Sequence, residues 1–81
     1  PSAVATRFRF TLPRASGARL VLLDVAGRRM RTLADGPLAA GSHEIAWDGR
    51  DGRGSAVPAG LYWARLESGR ETAVVRFVRV R

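Results

Sequence analysis

Leu22-Leu23-Asp24-Val25-Ala26-Gly27-Arg28-Arg29-Met30-Arg31-Thr32-Leu33 carries an apolar run into an Asp-x-x-Gly turn and out again into an alternating stretch. Downstream, a second alternating stretch closes on Trp47 before Asp48-Gly49-Arg50-Asp51, another turn built from aspartate and glycine. Apolar alternation interrupted by such turns is the pattern of β-hairpins, so the chain reads as all-β. No long stretch carries helical spacing free of glycine or β-branched runs, which leaves no helix beyond a single turn.

Working outward from that stretch, strands are expected over 6–12, 18–24, 28–33, 42–47, 61–67 and 71–80. Phe8, Phe10 and Leu12 share one face of the first, and Arg7, Arg9 and Thr11 the other. The second is apolar on both faces and is therefore expected at the centre of a sheet. The segment 34–41, bracketed by glycines and holding Pro37, reads as a loop whose Leu38 tucks under the sandwich edge. In the fifth strand Tyr62, Ala64 and Leu66 oppose Leu61, Trp63 and Arg65. The expected core is Phe8, Phe10, Leu20, Leu22, Met30, Ile45, Trp47, Tyr62, Leu66 and Phe77, and the expected architecture is a sandwich or small barrel.

Eighty-one residues make one domain, 1–81, near the lower limit for folding without help, and there is no cysteine to staple it. The chain opens on Pro1 rather than Met, as expected of a fragment or processed product of a longer polypeptide. Its longest apolar run, 20–23, is too short to span a bilayer. Net charge is +7, and all 14 basic residues are arginine. Lysine serves phosphate as well as arginine does, so its complete absence beside abundant Ala, Gly and Val reads as the codon bias of a GC-rich genome. The arginines are scattered along the chain, the pattern of a solvated surface rather than of a polyanion site.

Chemistry is sparse. His43 is the one histidine, and its neighbours Ser42 and Glu44 point to the opposite face of the strand, so it reads as a hydrogen-bonded strand-end residue and not a general base. Without cysteine or a second histidine a transition-metal site lacks ligands. Asp48 and Asp51, interleaved with Arg50 and Arg53, fit turns better than a calcium loop. Gly49, Gly52 and Gly54 precede no helix and no Lys-Ser/Thr pair, so they form no phosphate loop. The expectation is no catalytic residue, no cofactor, no metal and no small-molecule substrate.

In order along the chain stand Thr6-x-Phe8-x-Phe10-x-Leu12-Pro13, Asp24-Val25-Ala26-Gly27-Arg28 with Arg31-Thr32-Leu33, Gly41-x-His43-x-Ile45-x-Trp47-Asp48-Gly49-Arg50-Asp51-x-x-Gly54, and Val57-Pro58-Ala59-Gly60-Leu61-Tyr62. This succession resembles the immunoglobulin-like domain of the flagellar hook-capping protein family. It is also similar to C-terminal modules of secreted bacterial proteins, including type IX secretion sorting domains. The resemblance implies an Ig-like β-sandwich of about seven antiparallel strands, an extracytoplasmic bacterial setting (periplasm, cell surface or secreted) and a non-catalytic role. There are two departures. The opening is reduced to Pro1-Ser2-Ala3, and Arg79 interrupts the terminal apolar run, which favours a structural module over a sorting signal.

The function expected is protein–protein contact, as an appended domain or as an accessory subunit of a larger extracytoplasmic or membrane-associated assembly. A type IX-like sorting signal is the first alternative. A small nucleic-acid-binding barrel is the second, with the aromatic rings arguing against it because all but Trp63 fall on apolar faces. The candidate contact residues are Arg7 and Arg9 on the first strand, Trp63 and Arg65 on the fifth, and Arg76 on the last, with Trp63 as the apolar anchor.

Overall fold

The structure, a computed structural model, describes residues 6–80. Six antiparallel strands follow one another: β1 Thr6–Leu12, β2 Ser16–Leu23, β3 Arg29–Leu38, β4 Gly41–Trp47, β5 Gly60–Ser68 and β6 Glu71–Arg79. They form two sheets, β1-β4 and β3-β2-β5-β6, with no helix among the described residues. This is the immunoglobulin-like β-sandwich class expected, with six strands where about seven were anticipated. The Pro1-Ser2-Ala3 opening and Arg81 lie outside the described residues.

The turn after β2 shows why the deciding stretch folds as a hairpin. The Asp24 carboxylate accepts the backbone N–H of Ala26 and of Arg28, each at 2.9 Å, and its second oxygen accepts Arg28 Nε at 3.0 Å. Gly27 takes φ +80°, which a side chain disfavours, and its N–H donates to Asp24 O at 2.9 Å. Asp24 thereby belongs to the turn, and β2 ends at Leu23.

Between the sheets lie Leu20, Leu22, Trp47, Val57, Tyr62 and Ala64, all buried. Phe8, Phe10, Met30, Ile45, Leu66 and Phe77 pack against them, so all ten residues expected in the core are there. Phe77 is the hub of the aromatic contacts, edge-on to Phe8 at 5.2 Å and to Trp47 at 5.8 Å, and tilted on Tyr62 at 5.9 Å. β2 is central, flanked by β3 and β5.

The segment 34–41 is a correction. β3 does not end at Leu33 but runs through Gly36 and Pro37 to Leu38, which pairs with Ser16 instead of tucking beneath the edge. Proline is tolerated because β3 is an edge strand, where one side of the backbone needs no donor. Two register shifts, at Leu20/Val21 and Leu22/Leu23, bend β3 as it passes.

Candidate contact face

Because β2 alternates regularly, placing Leu20 and Leu22 in the core puts Arg19, Val21 and Leu23 on the outer face of the four-stranded sheet. Their register partners on β5 are Glu67, Arg65 and Trp63, whose own partners on β6 are Thr72, Val74 and Arg76. Trp63 therefore lies between Leu23 and Arg76, with Arg65 two residues along the same strand. Val21 is fully buried although it faces outward, between Arg65 and Thr32. The aliphatic stem of an arginine covers such apolar surface while its guanidinium stays wet.

Charge on this face is ordered around Glu67. Arg19 donates to its Oε1 from Nε at 3.1 Å and from the terminal nitrogen at 2.8 Å, and Arg65 Nε lies 3.4 Å from Oε2. The hydrogen bond from Arg19 is the main reason the Glu67 carboxyl titrates below its usual range, and the same bond raises the Arg19 guanidinium. Arg76 is in none of the ion pairs among the described residues, and Val74 and Val78 beside it on β6 are exposed. The face thus offers a half-buried indole, bare valines and an uncompensated guanidinium.

The five candidate residues fall on two faces. Trp63, Arg65 and Arg76 come together as described. Arg7 and Arg9 project from the outer side of the β1-β4 sheet, opposite Ala46 and Glu44, with the sandwich between them and Trp63. Arg9 Nε is held by Glu44 Oε2 at 2.6 Å. The exposed valines of β6 were missed by the sequence reading; the run Val74-Val75 in a terminal strand was the available signal.

The side chains that could carry chemistry are committed to structure. His43 Nε2 lies 2.7 Å from Ala39 O, and its ring stacks on Phe10 at 5.3 Å. Asp48 accepts Arg50 N–H at 3.0 Å and pairs with Arg31 at 2.9 Å. Asp51 accepts Arg53 N–H at 2.9 Å and Ser55 N–H at 3.0 Å, the geometry of a side-chain-closed turn. No cluster of three or more metal-ligating side chains occurs among the described residues.

These turns predict an acid response. Backbone N–H donors lower the carboxyls of Asp24 (Arg28 N–H foremost), Asp48 (Arg50 N–H) and Asp51 (Ser55 N–H), as Arg19 lowers Glu67. A carboxyl depressed in the folded state stabilises it above the unfolded pKa, and that contribution is lost as pH falls through the folded value. The melting temperature should be flat from about pH 7 to about 5 and fall below about pH 4. Thermal melts across this range check it. A melting temperature that holds or rises in acid would show that these carboxylates contribute nothing.

A profile of the FlgD Ig-like domain matches residues 2–71. The basal-body rod modification protein FlgD of Salmonella typhimurium is 46% identical over 41 residues, 51% of this chain and 18% of that protein. The same protein of Salmonella typhi matches over the same extent. Among solved structures, FlgD from P. aeruginosa superposes with a TM-score of 0.73 at 25% identity, covering 90% of this chain and 59% of that one. The chain thus spans a minor part of the curated relatives it matches.

Proposed function

The chain belongs to the FlgD Ig-like domain family, the β-sandwich of flagellar hook-capping proteins, and from that premise we propose that it is one module of a longer extracytoplasmic bacterial protein, acting without catalysis by contact with other proteins of a flagellar assembly. The observation that supports this best is the outer face of β5 and β6. Trp63 sits directly opposite Arg76, flanked by Arg65 and by exposed Val74 and Val78. Tryptophan and arginine together are the side chains that dominate protein contact energies, and nearby apolar side chains help exclude water around them. The rigid sandwich fixes their spacing, so binding orders few side chains.

A face-by-face comparison in the full-length protein tests the proposal. Trp63→Ala and Arg76→Glu should each weaken retention on flagellar preparations of the organism of origin, with Trp63→Ala losing about thirtyfold in affinity, as for an interface anchor. Arg7→Glu, on the opposite face, should bind as the parent does. Melting temperatures should be unchanged in Arg7→Glu and Arg76→Glu, whose side chains are exposed. Trp63→Ala, which removes a half-buried ring, should melt lower yet stay folded at the binding temperature. Loss of binding in Arg7→Glu alone would move the contact to the β1-β4 face.

A further inference from the structure

β6 pairs with β5 along all nine of its residues without a register shift, and no described strand lies on its other side. A long, regular edge is a template for further pairing, and folds usually blunt it with proline, bulges or charge. The other edge of this sheet is blunted, since β3 carries two register shifts and Pro37. β6 has neither. Its valines are bare on both faces: Val74 is 53% and Val78 66% exposed on the outer side, and Val75 is 56% exposed on the inner side.

Val75 is open because, among the described residues, the facing sheet has only two strands. β1 reaches β6 through Phe8 against Phe77, and among the described residues no strand extends the facing sheet to cover Val75. A groove of about 350 Å³ lies at one end of this open side, lined by Leu12 and Arg14 from the β1 end, Leu66 from β5, and Arg70, Glu71 and Ala73 from β6 and its turn.

Charge selects the occupant. Five ion pairs among the described residues engage Arg9, Arg19, Arg28, Arg31 and Arg65. Arg14 and Arg70 at the groove, and Arg76 on the edge, are in none of them. A second copy of this chain would bring another charge of +7 and a second set of the same arginines to the seam. We propose that the open side between β1 and β6 accepts an extended acidic segment of a partner protein, which adds to β6 as a fifth strand of the larger sheet. This rests on the protein-contact reading above and names the partner's chemistry. A segment alternating apolar and carboxylate residues would lay its apolar side chains inward over Ala73, Val75 and Phe77. Its outward carboxylates would stand beside Arg76, and its end at the groove would meet Arg14 and Arg70. The edge backbone supplies hydrogen bonds to any sequence, and the arginines choose acid.

The test uses the 81-residue chain and capped peptides of about nine residues, a length suited to strand addition. One alternates valine with glutamate and one valine with lysine. Two further valine–glutamate peptides are N-methylated, each on one alternate set of amides. The glutamate peptide should bind at least about tenfold tighter than the lysine peptide and weaken as salt is raised. It should also slow amide exchange in β6, and one N-methylated peptide should lose binding while the other keeps it. Equal binding of the two charge types, or protection away from β6, would overturn the proposal. Self-association of the chain that protects β6 and excludes the peptide would assign the edge to a second copy and equally overturn it. No flagellar partner enters this experiment, so its failure leaves the contact role of Trp63 and Arg76 to its own test.

Discussion

Trp47→Ala should lower stability by about 3–5 kcal/mol, a loss that approaches the whole stability of a domain this size. Trp47 closes β4 and is completely buried, with Phe77 edge-on at 5.8 Å. Its indole N–H donates to Arg50 O at 2.8 Å, tying the core to the turn that follows. The Arg79 guanidinium lies over the ring at 5.3 Å. Truncation would therefore leave a cavity, remove a part-buried hydrogen bond and take the aromatic face from a cation at one stroke. Trp47→Phe retains a ring and should cost less. Urea denaturation measures both, and an unchanged midpoint for Trp47→Ala would show that the indole is not part of the packed core.

Leu22→Ala ranks next, at about 2–5 kcal/mol. Leu22 is fully buried in the middle of the central strand, held in register between Arg31 of β3 and Ala64 of β5. Backbone paired on both sides cannot collapse into the space, so most of the cavity would persist. Val21→Ala is the informative comparison. Val21 is equally buried but lies on the outer face, where the flexible Arg65 side chain can settle into the gap. Its cost should be clearly smaller, in keeping with the smaller volume removed and the yielding cover. Equal losses at the two positions would mean that the outer face is as rigidly packed as the core.

Much of this fold was legible because its information is local. Period-two alternation marked β1 and β4, and the Asp24 and Asp48–Asp51 turns announced themselves through carboxylates that accept nearby backbone N–H groups. The ten core positions followed from period-two alternation or from apolar runs too short for a helix. The reading failed where a residue's tolerance depends on which neighbour it has. Pro37 argues against a strand until β3 proves to be an edge, where the missing donor is not needed. Val57, buried in the core, lies at the Pro58-Ala59-Gly60 approach to β5, where no alternation marks it.

The candidate contact divided in the same way. Trp63 and Arg65 share a face by alternation within one strand, and that was readable. Which residue of another strand stands opposite Trp63 depends on a register between segments, and that register gave Arg76 while sending Arg7 and Arg9 to the far side.

Arg79 marks the boundary most clearly. In the sequence it is a charge that breaks an apolar run. In the fold its side chain turns inward, donating from Nε to Val57 O at 3.0 Å and lying over Trp47. It can do so because Gly49, with φ +81° and no side chain, leaves room for the guanidinium. Alternation and turn chemistry determined by themselves that this chain is all-β, a sandwich or small barrel, since both act between residues close in sequence, and the family resemblance implied the Ig-like form. The open β6 edge, the two-faced division of the arginines and the place of Arg79 were decided only by tertiary structure, because each depends on which distant strands the core brings together.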